Sequence, residues 1–173
     1  MKKHIDSLLV LLLVIVFLFT LAGCASKDTI TEPPVLTLQY GDTKIEAQKF
    51  GFSWKYTDIF GKVKGMDALA IHPLFAKEEQ MSSLSYNPNL LKILLQFPVE
   101  PDSISVECWN EQYWHGISGD TNVPFVEGEE IPVNSFSIEL KDGGNIYLVI
   151  ATWEKEKYSG TVYYSFYAVP AEV

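Results

Sequence analysis

The fold class is decided by the stretch DGGNIYLVIATW, residues 142–153. Residues 142–145 have the chemistry of a tight turn, because the two glycines accept positive φ angles at little cost. Ile146–Trp153 is apolar at nearly every position, which is typical of a central strand covered on both faces. Thr161–Val169 follows and alternates apolar with polar residues, so the sequence predicts a C-terminal antiparallel hairpin.

Upstream of this hairpin, alternating apolar residues predict more strands. Val35–Gln39 and Thr43–Lys49 flank a Tyr40-Gly41-Asp42 turn, which indicates a second hairpin. Apolar strand faces are expected from four further sets: Phe50, Phe52, Trp54 and Tyr56; Leu91, Ile93, Leu95 and Phe97; Ile104, Val106 and Cys108; and Phe136, Ile138 and Leu140. Because Ile45 and Ala47 have the opposite parity to Phe52, we expect a β-bulge near Gln48–Gly51. Only residues 66–80 suggest a short helix, which Pro73 would limit.

About eight short strands with Gly, Pro and Asn turns predict an all-β chain. We expect residues 35–173 to form one antiparallel, immunoglobulin-like sandwich, with an open β-barrel as the alternative. The segment from Asp142 to Tyr147 resembles the tyrosine corner of immunoglobulin-like domains, with one residue more between Asp and Tyr. No cysteine follows Tyr147, so an inter-sheet disulfide is not expected there.

The first 24 residues read as a targeting segment. Lys2 and Lys3 form a basic start, Leu8–Phe19 is apolar, and Leu21-Ala22-Gly23-Cys24 closes the segment. As a helix, residues 8–23 would span about 24 Å, which is shorter than the roughly 30 Å hydrocarbon core of a bilayer. The segment therefore predicts a cleaved signal peptide better than a transmembrane anchor.

This terminus resembles the lipobox of bacterial prolipoproteins, with all four box positions filled by Leu21-Ala22-Gly23-Cys24. The resemblance implies cleavage before Cys24 with loss of residues 1–23, an amino terminus at Cys24 and a diacylglycerol thioether on its sulfur, so that the protein should incorporate palmitate. It also implies a location on the extracytoplasmic face of the bacterial cell membrane. Residues 24–34 would then be the lipidated terminus and a linker that ends in Pro33-Pro34. The rest of the chain resembles small Gram-positive lipoproteins in three features: lysine as its only basic residue besides histidine, the Ser53-Trp54 pair and the His72-Pro73-Leu74 segment.

Charge excludes one class of partner. The whole chain carries a formal charge of −9, and the 150 residues after the predicted cleavage carry −10. Every one of the 13 basic residues is lysine, so no bidentate arginine clamp for phosphate is possible. We therefore expect no nucleic-acid partner, and we expect anionic lipid headgroups to repel the domain as a whole.

No set of residues in the sequence matches a recognised catalytic or metal-binding motif. Cys108 shares the parity of Ile104 and Val106, so we expect a buried thiol and not a nucleophile. His72 and His115, with Asp67, Asp120 or Cys108, have no recognised zinc spacing, so no metal site or cofactor is expected. The acidic side chains most simply form a solvated face, although paired carboxylates could serve a hydrolase; they are Glu107, Glu111, Glu127, Glu129 and Glu130.

Aromatic side chains supply the remaining candidate site. Trp109, Tyr113 and Trp114 lie close together, and Trp109 and Tyr113 have the parity opposite to Val106. Such rings either bind a protein or carbohydrate partner or pack on a covered second face. We expect a lipid-anchored binding or interaction module of the cell envelope and not an enzyme. An envelope hydrolase that uses carboxylates or a histidine–metal pair is the alternative.

Overall fold

A computed structural model describes residues 29–114 and 126–171. In chain order its strands are β1 (Thr37–Tyr40), β2 (Thr43–Glu46), β3 (Gln48–Thr57), β4 (Val63–Ala68), β5 (Ser82–Tyr86), β6 (Lys92–Gln96), β7 (Ser103–Asn110), β8 (Glu129–Glu130), β9 (Ser137–Glu139), β10 (Asn145–Glu154) and β11 (Tyr158–Pro170). The smaller sheet has the order β2-β1-β6-β9. The larger sheet has the order β4-β3-β11-β10-β7-β8, and β5 pairs with β11 in parallel. The two sheets of four and seven strands do not close into a barrel, so the predicted all-β sandwich is confirmed.

The predicted C-terminal hairpin forms the centre of the larger sheet. β10 pairs with β11 from Asn145↔Ala168 to Glu154↔Ser159, and its other edge pairs with β7. The side chains of β10 are buried on both faces almost throughout, as its continuous apolar run predicts. This strand therefore lies between β11 and β7 in the larger sheet and is covered on both faces.

The main core lies between the sheets. It joins the inward side chains of β10 and β11 to those of β1, β6 and β7, and Tyr147 stacks on Phe166 with ring centroids 4.8 Å apart. The largest fully buried members of this core are Trp54, Trp153, Tyr86, Tyr147, Tyr164 and Phe166. The expected apolar faces of β6 and β7 both belong to it, which confirms their assignment.

A smaller core covers the outer face of the larger sheet. Residues 73–81 and Trp114 pack there on Ile146 and Leu148 of β10. The short helix expected within residues 66–80 was wrong, because this segment makes β4 and two 3-10 turns, Pro73–Phe75 and Glu78–Gln80. Pro73 starts the first of these turns, where it costs no backbone hydrogen bond. Among the described residues, no helix is long and apolar enough to cross a membrane.

The expected bulge is present in β3. Its pairing with β11 jumps from Gly51↔Tyr163 to Lys49↔Tyr164, so Phe50 has no partner in the register. The extra residue lets Ala47 and Trp54 share the main core despite their opposite parity. Phe50 itself packs on the smaller core, which corrects the expectation that it shares a face with Trp54.

The first described residues, before β1, pack against the sandwich. The Trp54 indole donates to the Ile30 carbonyl at 3.1 Å, and the buried Tyr164 hydroxyl donates to the Pro34 carbonyl at 2.8 Å. Lys49 reaches the Pro33 carbonyl, and both Pro33 and Pro34 are buried. Packing thus starts before Val35, because backbone carbonyls of residues 30–34 find donors on β3 and β11.

We call the two ends of the sandwich the tether end and the cavity end. The tether end holds Ile30, the β3–β4 turn at 58–62 and the β10–β11 turn at 155–157. The cavity end holds residues 110–114 and the turn at 141–145. β10 connects the ends with ten residues, which places them about 30 Å apart.

Candidate functional site: the cavity at one end of the sandwich

A cavity of about 450 Å³ opens at the cavity end. The end of β7, the approach to β8 and the turn before β10 form its walls. Its described lining residues are Cys108, Trp109, Asn110, Tyr113, Val126, Glu127, Glu129, Lys141, Asp142 and Asn145. The strands meet here because β7 and β8 pair through Cys108↔Glu129, while Asn145 pairs with Asn110.

Trp109 forms the apolar wall of the cavity. Its indole is 3% exposed, donates to the Val126 carbonyl at 2.9 Å and meets the ring of His72 edge-on at 5.0 Å. A Cβ added to Gly128 would lie 2.6 Å from this indole, so the absence of a side chain there lets the 126–128 segment approach. Trp109 is therefore a fixed wall and not a mobile surface side chain.

Tyr113 and Trp114 lie in different places. Tyr113 is half-buried and lines the cavity. Trp114 is 1% exposed, and its indole donates to the Ala76 carbonyl at 2.7 Å within the smaller core. Trp109 and Trp114 thus both pack in the smaller core on the covered second face. Trp109 also lines the cavity, as Tyr113 does, whereas Trp114 is not among the described lining residues. Trp114 does not belong to an exposed aromatic surface, because residues 73–81 cover it.

The opposite wall is negatively charged. Glu127, Glu129 and Asp142 line the cavity with a single lysine, Lys141, among the described lining residues. The Lys141 ammonium group lies 2.5 Å from Oε1 of Glu129, and this hydrogen bond raises the pKa of Lys141. Three carboxylates against one ammonium group leave a net negative site, which favours cationic or hydroxyl-rich ligands.

The turn below this wall is held by a network of hydrogen bonds. The Asn145 side-chain amide donates to the carbonyls of Lys141, Asp142 and Gly143 at 3.0–3.2 Å. The Tyr86 hydroxyl lies 2.8 Å from the Lys141 carbonyl, and burial is the main cause of the raised pKa of this phenol. Asp142 and Lys141 are therefore presented on a braced turn, which sets their positions before any ligand arrives.

The same turn contains the segment from Asp142 to Tyr147 that resembles a tyrosine corner. The Lys141 backbone N–H donates to the Tyr147 hydroxyl oxygen at 2.7 Å, so the hydroxyl bonds the backbone six residues upstream. Tyr147 is fully buried, and this burial raises its pKa far above the usual range. The resemblance seen in the sequence thus has a matching hydrogen bond in the structure.

Cys108 is the buried thiol that the sequence predicts. It is 4% exposed, and burial, followed by the negative charge of Glu129, raises its pKa to about 11. A thiol with this pKa is almost wholly protonated at neutral pH, so it is a poor nucleophile. Its place in the cavity wall is that of a small apolar residue.

The histidine and metal candidates do not converge within the described residues. His72 accepts a hydrogen bond from the Leu74 N–H at 3.3 Å, which orders the loop before the first 3-10 turn as expected. His115 and Asp120 lie outside the described residues, and Asp67 lies on the edge strand β4. In residues 29–114 and 126–171 no group of three or more His, Cys, Asp or Glu side chains is arranged to hold a metal ion.

The acidic candidates divide between several roles. Glu127 and Glu129 line the cavity, whereas Glu107 and Glu130 are register partners of β7 and β8. Glu111 accepts a hydrogen bond from the Tyr167 hydroxyl, which fixes the segment after β7 against β11.

Sequence reasoning missed Lys141, Asp142 and Asn145 as site residues. The turn at 142–145 was predicted, but no local pattern indicates that it faces Tyr113.

Cys24 and the rest of the lipobox lie outside the described residues. Comparisons of the chain with protein-family models, with curated proteins and with solved structures gave no match.

Proposed function

We propose that the protein is a lipid-anchored binding module of the bacterial cell envelope, held outside the cytoplasm, and that its cavity receives the partner. The lipobox supports the anchor at Cys24. The placement of the cavity at the end of the sandwich opposite Ile30 is the observation that carries the binding role.

This placement gives the anchored domain a direction. Ile30 is six residues after Cys24 and lies beside Trp54, so the lipid is attached near the tether end. Because the cavity end lies about 30 Å away along β10, the cavity would face away from the bilayer. A site that faces outward is accessible to other envelope components.

The partner's chemistry follows from the two walls. The half-buried Tyr113, backed by the nearly fully buried Trp109, gives an aromatic wall, and Glu127, Glu129 and Asp142 give negative charge. This combination favours a lysine- or arginine-containing segment of another envelope protein, whose alkyl stem lies on the rings while its charge meets the carboxylates. A carbohydrate would use the same aromatic wall but would depend less on the charges.

The anchor is tested by Cys24→Ser. Wild-type cells fed labelled palmitate should yield a labelled, membrane-bound protein, whereas the variant should be unlabelled and released or stalled as precursor. A variant that still incorporates palmitate and stays with the membrane would overturn the anchor.

The binding site is tested by in-cell photo-crosslinking. A crosslinking amino acid at Tyr113 should capture an envelope protein, and the adduct should diminish in a Glu127→Gln/Asp142→Asn background. The matched control carries the crosslinker at Leu94, which is exposed on β6 of the smaller sheet. If Tyr113 yields no adduct across growth conditions, or only the adduct that Leu94 yields, the cavity is not the protein-binding site. A charge-independent glycan adduct would assign the site to carbohydrate.

A further inference from the structure

The β3–β4 turn presents two large apolar residues at its apex. The Gly61 N–H donates to the Asp58 carbonyl at 2.9 Å, the Asp58 N–H donates to the Lys62 carbonyl at 2.8 Å, and Gly61 has a φ of +76°. These features define a three-residue hairpin loop with a glycine bulge, in which Ile59 and Phe60 occupy the two central positions. The Asp58 carboxylate also accepts hydrogen bonds from the Phe60 and Lys62 N–H groups at 2.9 Å, which rigidifies the loop.

These apolar side chains have almost no cover from the domain. Ile59 is 90% exposed, Phe60 is 81% exposed and Val63 is 71% exposed. Polar residues normally fill such turn positions, because nothing in water compensates the exposure of large apolar groups. A rigid turn with two exposed apolar residues at its tip therefore suits an apolar environment outside the domain.

The charge of this hairpin differs from that of the rest of the molecule. Residues 55–64 contain Lys55, Lys62 and Lys64 against Asp58 alone, a formal charge of +2 in a chain of −9. The three lysines are exposed. At the other end of the sandwich, the cavity lining is acidic. The overall repulsion from anionic lipid that the composition predicts therefore does not apply to the hairpin itself.

The hairpin also lies at the end of the domain where the chain comes in. Trp54 binds the Ile30 carbonyl, and β3 continues from Trp54 to Thr57, about 10 Å further toward the turn. Cys24 and Ile30 are six positions apart, which limits the distance between their Cα atoms to about 20 Å. A lipid at Cys24 thus holds the tip of the hairpin within reach of the bilayer surface.

We propose that the β3–β4 hairpin docks into the bilayer surface, with Ile59 and Phe60 in the headgroup–acyl boundary and Lys55, Lys62 and Lys64 toward anionic headgroups. This inference rests on the lipid anchor proposed above. Docking gives the anchored domain a second membrane contact, which keeps the tether end against the lipid and turns the cavity outward.

The mature lipidated protein, which begins at Cys24, is reconstituted in vesicles of phosphatidylcholine and phosphatidylglycerol. Ile59→Cys carries an environment-sensitive fluorophore, and Leu90→Cys carries the same label as a matched control. Leu90 is an exposed apolar residue at the cavity end, since its neighbour Leu91 accepts a hydrogen bond from the Leu140 N–H at 2.8 Å, beside the turn at 141–145. Cys108 is buried with a raised pKa and therefore does not compete for the label.

We expect the probe at position 59 to shift to the blue and to be quenched by spin-labelled lipids, while the probe at position 90 is unaffected. Adding Phe60→Ser, or omitting phosphatidylglycerol, should weaken the quenching at position 59. If the protein floats with the vesicles but both probes stay unquenched, the anchor stands and hairpin docking is overturned. That result is also expected if the tip binds a protein instead of lipid. If the lipidated protein does not float with vesicles, the anchor fails and docking fails with it.

Discussion

The indole nitrogen of Trp54 lies 3.1 Å from the carbonyl oxygen of Ile30 and donates a hydrogen bond to it. This contact holds the first described residues against β3, so the N-terminal segment enters the domain at the tether end. Trp54 also meets Trp153 edge-on and stacks on Tyr158, both at 5.6 Å, so its ring is held by the main core. The direction proposed for the anchored domain depends on this one contact more than on any other.

Trp54→Phe should loosen the segment at 29–34. The change removes the hydrogen bond and part of the ring, which should lower the free energy of unfolding by about 1–3 kcal/mol. Limited proteolysis should then cut the segment faster than in the wild type. Trp153→Phe is the control, because its indole makes an equivalent bond to the Val99 carbonyl at 3.1 Å. It should destabilise similarly without exposing 29–34, and equal proteolysis of both variants would contradict the tie.

Tyr147→Phe should weaken the turn at the cavity end. The Lys141 N–H loses its acceptor at 2.7 Å, which should cost about 1–3 kcal/mol in the free energy of unfolding. Hydrogen exchange at the Lys141 amide should accelerate. Tyr164→Phe removes a hydroxyl that bonds Pro34 instead, so it should leave this amide protected. Unchanged exchange at Lys141 in Tyr147→Phe would show that the hydroxyl does not brace the turn.

Cys108 should react with thiol reagents slowly and only at high pH. Its pKa is raised from an ordinary 9.0 to about 11, so the folded protein retains the proton that the unfolded chain loses. At about pH 8, the thiolate fraction should be roughly 100-fold lower in the folded protein than in the unfolded one. This preference stabilises the fold fully below pH 9.0 and is lost as the pH rises through about 11.

Alkylation rates followed by mass spectrometry test this directly. The rate for the folded protein should rise about tenfold per pH unit up to about pH 11, while the rate in denaturant should level off about two units lower. Cys24 contributes no thiol when it is lipidated. Rapid alkylation of the folded protein near pH 7 would contradict the burial of Cys108.

Gly128→Ala should disturb the cavity through Trp109. The new methyl group would lie 2.6 Å from the indole, so the ring or the 126–128 segment must shift at a cost of about 1–3 kcal/mol. Tryptophan fluorescence should move to the red as the indole gains water. Gly65→Ala is the control, because a Cβ there meets only the Trp54 carbonyl at 3.9 Å. Similar spectra and stability for Gly128→Ala and the wild type would mean that the segment does not press on the ring.

The regular apolar patterns predicted their strands well. The run at Ile146–Trp153 and the alternation in Leu91–Phe97 form strands as expected, because burial on one or both faces leaves a period in the sequence. Three strands were not predicted: β4, β5 and β8. β4 is an edge strand with nearly all of its side chains exposed and β8 has two residues, so neither has an apolar face that a sequence pattern could show. β5 buries Leu84 and Tyr86, but its other three residues are serines, so its apolar pattern is only two residues long.

The candidate site was only partly predictable for a related reason. Trp109 and Tyr113 were found from the sequence because their aromatic side chains lie close together in the chain. Lys141, Asp142 and Asn145 join them only through the pairing of β10 with β7, more than 25 residues away in sequence. A contact between residues this far apart leaves no local period or spacing that a single sequence could show.

The sequence by itself determined the all-β class and the central hairpin, and it carries the resemblance of residues 21–24 to a lipobox, because each of these depends on neighbours along the chain. The tertiary structure decided which end of the sandwich holds the cavity, which aromatic rings are covered and how close Ile59 and Phe60 lie to the start of the domain. These properties depend on how the two sheets and the segment at 73–81 pack together. Packing brings together residues that are far apart in the sequence, so their proximity cannot be deduced from a local pattern.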